Sequence, residues 1–214
     1  MADKPDSLVL QQFAKAPQPG RVKTRMQPLL SPEQACELHC ELVQWTCKTL
    51  LNAALGPVEL WVSDAPQHPL FKACETSGVA SVCRQLGTDL GARMQDALAS
   101  GLARYKYVLL VGSDCPALDT VYLRAAASAL RDHDLVLGPA CDGGYVLLGA
   151  RRPVDALFAD MPWGTDQVFA LTLARARKAG WHVAVLEPLR DIDRPEDLQY
   201  WQSLQHPLVD TARY

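Results

Sequence analysis

Three short segments, far apart in the chain, hold residue types suited to a metal-bound polyphosphate. The first, PGRVKTRM (19–26), brings together Arg21, Lys23 and Arg25 just after an apolar run. Guanidinium groups offer forked donors to phosphate and an ammonium offers a compact charge. Thr24 adds a hydroxyl, and Gly20 permits close backbone approach. The second, LLVGSDCP (109–116), is an apolar run that stops at Asp114. A carboxylate there can hold Mg²⁺, which keeps several waters and takes one or two protein carboxylates. The third, DIDRPEDL (191–198), places Asp191 and Asp193 ahead of a helix start. These two are expected to point to opposite sides of an extended segment, so that one alone faces the site. Plainer readings stand beside each: a solvated basic loop, an aspartate capping a turn before Pro116, and Asp193 capping the helix.

Two further segments carry weaker signals. CDGGY (141–145) has the composition of a tight turn. Alternatively, Gly143 and Gly144 admit a substrate while Asp142 binds an acceptor hydroxyl or assists a metal. WGTDQV (163–168) reads as a helix start capped by Thr165 or Asp166, or as an acceptor contact through Trp163 and Thr165. The basic loop is not a P-loop, because Val22 precedes Lys23 where that motif requires glycine, and no G-x-G-x-x-G follows any strand. Cys115 has no histidine near it in sequence to activate it. Cys36, Cys40 and Cys47 recur at helical spacing and read as reduced core residues, and the five histidines form no ligand set.

The elements that must position these segments alternate along the chain. Strands are expected at 7–13, 58–63, 79–85, 107–112, 135–137, 145–148 and 181–186. Helices are expected at 31–54, 69–76, 89–104, 120–130, 165–178 and 195–204. Ser31, Pro32 and Gln34 make a capping box with proline at the first helical position. The run at 107–112 is apolar throughout, as for a strand covered on both faces. This alternation implies an α/β protein with a largely parallel sheet flanked by helices, in which the hairpin around CDGG adds one antiparallel strand. Ligands of such sheets bind beyond the C-terminal strand ends, where the basic loop and Asp114 fall.

With 214 residues and neither linker nor repeat, one domain over 1–214 is expected, with its core at about 7–205 and a loose tail at 206–214. A net charge of −3 argues against a nucleic-acid partner and confines the basic cluster to a small polyanion. No apolar run is long enough to span a membrane and the N-terminus lacks a signal-peptide pattern, so a cytoplasmic protein is expected.

At these residues the chain resembles a known family. FAKAPQPGRVKTRM, VGSDCPAL, GPACDGGYVLLG, WGTDQVFALTL and DIDRPEDL occur in the order found in the DUF2064 family of GT-A-like transferases. That group includes proteins called radical-SAM/selenodomain-associated transferases. It is similar to the nucleotidyltransferases and glycosyltransferases of the GT-A superfamily. The resemblance spans residues 8–204 and implies a GT-A-like, Rossmann-like fold. KTRM resembles the KTRL of 2-phospho-lactate guanylyltransferase, which implies that Gly20, Lys23, Thr24 and Arg25 bind nucleotide phosphates. Asp114 matches the metal-binding aspartate at the end of the central strand. Asp193 matches the second metal aspartate in the D-x-D-T-P-E-D-L element of sugar-acid cytidylyltransferases, with Arg194 in place of the usual threonine. Residues 85–94 sit where relatives contact the base, making Asp89 and Gly91 nucleotide-binding candidates. The chain departs from the G-x-G-T-R-[ML] signature of sugar-nucleotide pyrophosphorylases.

The expected function is a Mg²⁺- (or Mn²⁺-) dependent transfer of NMP from an NTP to a small phosphorylated acceptor. Lys23, Arg25 and Asp114 are the catalytic candidates, Asp114 and Asp193 the metal ligands, and Asp142, Gly143, Gly144, Trp163 and Thr165 the acceptor site. Glycosyl transfer from an NDP-sugar would use the same apparatus, and a non-catalytic nucleotide-binding module would retain it without turnover. Oligomeric state is not legible in the sequence.

Overall fold

The computed structural model describes residues 7–205; the expected loose tail at 206–214 lies outside them. The strands β1 (Leu8–Ala14), β2 (Val58–Val62), β3 (Ser81–Arg84), β4 (Tyr107–Val111), β5 (Leu135–Pro139), β6 (Tyr145–Ala150) and β7 (Val183–Val185) form one sheet. Its order is β3-β2-β1-β4-β6-β5-β7. All neighbours run parallel except β6, which is antiparallel to both β4 and β5. The fold is therefore α/β with a mostly parallel sheet and one reversed strand.

That topology gathers the chemistry at one edge. The chain leaves β1 in one direction to make β2 and β3, then returns to place β4 on the other side, opening a crevice at the ends of β1 and β4. Because β6 is reversed, its beginning lies beside the end of β4: Val111 pairs with Leu147, and the Gly112 amide donates to the Val146 carbonyl at 3.1 Å. The CDGG turn thus sits at the same end as the basic loop and Asp114. Beyond β7, a bridge between Ala140 and Leu189 directs the final aspartate segment to that end as well.

Alternation along the strands divides the core between the two sheet faces. Leu10, Leu60, Leu109, Val111 and Val136 pack with Val43 and Leu50 of α1 (Pro32–Ala53), Phe71 of α2 (Pro69–Thr76) and Leu123 and Leu130 of α4 (Thr120–Asp132). Val9, Val108, Leu110 and Leu148 pack on the other face with Met94 and Leu98 of α3 (Leu90–Arg104), Phe158 of α5 (Asp155–Phe158) and Ala176 of α6 (Val168–Lys178). A smaller cluster joins Met26, Ala35, Leu38, Leu42 and Ile192 to Trp201 of α7 (Leu198–Gln205). It lies under the loops and anchors both Met26, next to Arg25, and Ile192, between the two aspartates.

The capping box at Ser31 is present, with Gln34 N donating to Ser31 Oγ at 3.2 Å and Ser31 N donating to Gln34 Oε1 at 2.9 Å. Three local expectations need correction. Helix α6 begins at Val168 rather than 165, and neither Thr165 nor Asp166 caps it; Thr165 Oγ1 instead donates to the Pro162 carbonyl at 2.8 Å within a turn. The short helix α5 and a 3-10 turn at Thr24–Met26 were not anticipated, since a single turn leaves no periodicity to read. Of the α1 cysteines only Cys47 is fully buried; Cys36 and Cys40 are half-buried, on a flank of the helix lined by Glu33, Glu37 and Glu41. All seven cysteines are free. Among the described residues no helix is long and apolar enough to cross a membrane.

One charge is buried inside the sheet. The Glu59 side chain on β2 is 3% exposed and accepts from Gln11 Nε2 at 3.2 Å and Trp61 Nε1 at 3.1 Å, while Arg104 Nη1 lies 2.6 Å away. Burial pushes its carboxyl up, but these donors, led by Arg104, hold it below the usual glutamate range. Arg104→Met should therefore cost about 2 kcal/mol, less than a fully buried pair because the arginine is half in water. The folded-state pKa is depressed, so the stabilisation is present above the unfolded value and disappears as pH falls through the folded one. Urea denaturation of both proteins across a pH series from 7 downward should show a large difference at pH 7 that shrinks as pH falls below the unfolded glutamate value. Equal differences would mean that the charge of Arg104 is immaterial.

Candidate functional site

The basic loop is shaped by its apolar residues. Val22 and Met26 are buried at 2% and 0%, which fixes the strand-to-helix path around them. Lys23 between them adopts a left-handed conformation at φ 49°, costly for a residue with a Cβ. The conformation persists because the lysine side chain, 4% exposed, reaches two other loops. Its ammonium lies 2.6 Å from Asp114 Oδ1 and donates to the Ile192 carbonyl. The Ile192 amide in turn donates to the Asp114 carbonyl at 2.8 Å. One buried cation thus ties together the three segments singled out in the sequence.

The exposed cations are different ones. Arg25 is 56% exposed, and its Nη1 lies 2.5 Å from Asp193 Oδ2. With Lys15, Arg21 and Thr24 it faces a cavity of about 570 Å³ at the ends of β1 and β4. That cavity also includes His39, Ser63, Gln85, Leu90, Arg93, Gly112, Asp114 and Asp193. Gly20 is exposed with φ +78° and does not line it; glycine there serves the turn. Gln85 is held by its amide, which donates to the Trp61 carbonyl at 2.9 Å and the Ala14 carbonyl at 3.3 Å.

Within residues 85–94 the two expected nucleotide contacts have structural duties instead. Asp89 caps α3, accepting from the Ala92 amide at 2.9 Å. Gly91 is packed against the Trp163 indole, where a Cβ would lie 2.6 Å from Nε1. Neither lines the cavity, whereas Gln85, Leu90 and Arg93 do. All three fall within the 85–94 segment that the family resemblance assigns to the base, whereas nothing in the spacing around Lys15 distinguishes it from an ordinary surface residue.

The acidic side is more convergent than expected. Asp191 and Asp193 line one cavity together with Asp142, Asp166 and Asp197, while Ile192 between them is fully buried. The expectation that they point apart is wrong: positions two apart in an extended segment share a face, and the intervening residue takes the other. Asp193 is not the helix cap either. Arg194 stands at the N-cap, and Asp197 in the first turn accepts from the Asp193 and Arg194 amides at 3.0 and 2.8 Å while Arg190 Nε donates to it at 2.8 Å.

Their electrostatics differ accordingly. Crowding raises the Asp114 carboxyl, but the Lys23 ammonium more than offsets this and holds it below the usual aspartate range. Asp191 lacks such a partner; burial, then repulsion from Asp142, Asp114 and Asp193, pushes it up to about 6. Among the described residues no three histidine, cysteine, aspartate or glutamate side chains form a closed metal cage. Mg²⁺ needs no such cage, since phosphate and water complete its shell. Half-exposed Asp114 and Asp193 line one cavity, two carboxylates of the kind such an ion takes from a protein. Cys115 is 3% exposed with its thiol pushed up to about 12 by burial, which does not suit a nucleophile.

The CDGG turn closes the far side. Asp142 Oδ1 accepts from the Gly144 amide at 2.9 Å, and Gly143, at φ +90°, presses against the Asp166 backbone. A Cβ on Gly143 would lie 2.2 Å from the Asp166 carbonyl oxygen, so this glycine admits a neighbouring loop rather than a substrate. Asp142, Gly144, Trp163 and Thr165 do line a third cavity.

Comparison with known proteins bears on the family and the fold. The model of the DUF2064 family, described as "Uncharacterized protein conserved in bacteria", matches residues 46–165. A 3-phospho-D-glycerate guanylyltransferase from Phenylobacterium zucineum (strain HLK1) is 31% identical over 186 residues, 82% of this chain and 81% of the relative. A crystal structure of a candidate nucleotide-diphospho-sugar transferase from Desulfovibrio desulfuricans G20 superposes with a TM-score of 0.80 at 26% identity, covering 93% of this chain and 88% of that one. A nucleotidyl transferase from Methanothermobacter thermautotroptrophicus shares the fold, with a TM-score of 0.64 at 18% identity over 93% of this chain and 97% of that one.

Convergence of carboxylates has a measurable cost in the free protein. The folded-state pKa of Asp191 lies above its unfolded value, so its contribution to stability is present below about pH 4 and lost as pH rises through about 6. In buffer freed of metal, Asp191→Asn should be more stable than the parent at pH 8 by about 1 kcal/mol, and indistinguishable from it near pH 4. Thermal melts at the two pH values measure this. A variant no more stable at pH 8 would mean that the carboxylates do not repel one another.

Proposed function

The chain belongs to the DUF2064 family, and we propose that it is a nucleotidyltransferase that moves NMP from an NTP to a small phosphorylated acceptor. The observation that carries this reading is the opposition of exposed cations on one loop and converging carboxylates on two others, across a cavity at the β1/β4 crevice. The name of the Phenylobacterium relative, a guanylyltransferase with a phosphorylated acid as acceptor, supports the same chemistry. In the reaction an acceptor phosphate oxygen attacks the α-phosphorus. The bond to the α,β-bridging oxygen breaks, and pyrophosphate leaves with that electron pair.

The chain's residues would act by position and charge. Arg25, Arg21 and Lys15 bind the triphosphate, with Thr24 as a hydroxyl donor. Gln85, Leu90 and Arg93 face the nucleoside. Asp114 and Asp193 are the residues we assign to Mg²⁺ or Mn²⁺, with Asp191 beside them; the ion supplies charge neutralisation on the phosphates. Lys23 orients Asp114 and has little surface left for phosphate. Lys23 neutralises Asp114 and Arg25 neutralises Asp193 in the free protein, and a metal nucleotide would bring a cation for the carboxylates and an anion for Arg25.

A second reading, glycosyl transfer from an NDP-sugar, is favoured by the 26% identity to the Desulfovibrio protein. A thermal-shift panel of NTPs, NDP-sugars and NMPs with and without Mg²⁺ separates the two. Saturation a hundredfold above Kd should stabilise by about 2.7 kcal/mol, and the NTPs should lead. Preference for NDP-sugars would replace the first reading with the second, and binding without turnover would leave a non-catalytic module.

Two substitutions follow. Arg25→Ala should weaken triphosphate about tenfold to a hundredfold and monophosphate much less, measured as Kd by calorimetry. Asp114→Asn should abolish the Mg²⁺-dependent part of nucleotide binding and also lower stability, because it strands the buried Lys23 ammonium. The double variant Lys23→Met, Asp114→Asn should recover melting temperature without recovering the Mg²⁺ dependence. Restored Mg²⁺ dependence in the double variant would remove Asp114 from the metal site.

A further inference from the structure

The third cavity, about 250 Å³, opens beside the nucleotide cavity, with which it shares Phe13, Arg25, Leu90 and Gly112. Its walls are Phe13, Met94, Leu110, Trp163 and Val168, with Leu90 at the mouth. Leu90 is 44% exposed, a large apolar side chain left facing this space. Trp163 is fixed in place, edge-on to Phe158 at 5.3 Å and against Gly91. The cavity is thus rigid and apolar, and it adjoins the point at which an acceptor would meet the α-phosphate.

Charge in and around it is unfavourable to a second anion. Arg25 is the single cation lining it, shared with the nucleotide cavity and claimed there by phosphate, and the charge next to it is the Asp142 carboxylate. The neighbouring cavity adds Arg190 and Arg194, but Arg190 is engaged by Asp197 at 2.7 Å, and Asp142, Asp166, Asp191 and Asp193 face the same space. A carboxylate carried on the acceptor's far end would be desolvated against apolar walls without a partner. An uncharged hydrocarbon or aryl end would exchange water for Trp163, Met94 and Leu90.

We infer that the acceptor of this protein is a phosphomonoester whose far end is uncharged and apolar, rather than a small phosphorylated acid such as the one in the name of its guanylyltransferase relative. This rests on the nucleotidyl-transfer reading for the identity of the reacting group. The phosphate would lie near Arg25 and Gly112, and the apolar body would extend between Trp163, Met94 and Leu90.

The test compares hexyl phosphate, phenyl phosphate and 3-phosphoglycerate by calorimetry in the presence of Mg²⁺ and a non-hydrolysable NTP, with hexanol as a control for non-specific binding. Hexyl and phenyl phosphate should bind at least tenfold more tightly than 3-phosphoglycerate, and hexanol far more weakly than hexyl phosphate. Thr165→Lys, which sets an ammonium at the cavity edge on an exposed turn, should narrow or reverse the preference; Leu90→Lys is the second variant should that turn not tolerate the change. Equal or tighter binding of 3-phosphoglycerate by the parent protein would overturn the inference, as would a preference unmoved by either lysine. Because affinity is read without turnover, failure to release pyrophosphate with any acceptor in the presence of NTP would count against the nucleotidyl-transfer reading alone.

Discussion

A single buried ammonium organises the end of the sheet where the chemistry lies. Lys23 belongs to the loop after β1, Asp114 to the loop after β4 and Ile192 to the segment after β7, and the lysine side chain contacts all three. Taking an ammonium out of water is expensive, and it is tolerated where a carboxylate and a carbonyl replace the lost hydration. The left-handed backbone at Lys23 is part of the same compromise, because it aims the side chain inward while leaving Arg25 and Thr24 facing solvent. The constraint works in both directions: Asp114 is kept ionised and oriented by the lysine, and the 191–193 segment is kept beside Asp114.

Apolar packing supplies the precision that the charges alone would lack. Each chemistry-bearing residue has a buried neighbour in sequence: Val22 and Met26 around Lys23 and Arg25, Cys115 next to Asp114, and Ile192 between Asp191 and Asp193. Met26 and Ile192 meet in one cluster beneath the loops with Leu38 and Leu42 of α1 and Trp201 of α7. A side chain held between close-packed neighbours loses few rotamers on binding, so the cations and carboxylates are placed before any ligand arrives. Arg25 is the exception, half exposed and tied only to Asp193, and it is the group best able to change partner.

The three cavities share walls, which gives the site a direction. The cavity with Lys15, Arg21, Gln85 and Arg93 is cationic, the one with Asp142, Asp191 and Asp197 is acidic, and the one with Met94 and Trp163 is apolar. Arg25 lines all three. Cationic, acidic and apolar surroundings thus meet around one guanidinium, with Asp193 shared between the first two.

The sequence by itself determined the alternation of strands and helices, the antiparallel strand after CDGG, and the place of 19–26 and Asp114 beyond the ends of their strands. These follow from local rules: apolar periodicity, the Ser31 capping box, and strand ends that terminate in glycine, aspartate or proline. What only the tertiary structure decided is how the polar side chains divide their work. Lys23 and Arg25 are two residues apart and read alike, yet one is buried as a strut and the other faces the cavity. Lys15 gave no signal, and Gln85 and Arg93 were marked only as part of the 85–94 segment, because their place at the cavity depends on where β1, β3 and α3 lie relative to one another. Charge and hydrogen-bonding capacity are properties of a residue, but the partners that Lys23 and Arg25 find lie on a segment 169 and 168 positions away. No local pattern encodes those distances; the packing of the sheet and its helices does.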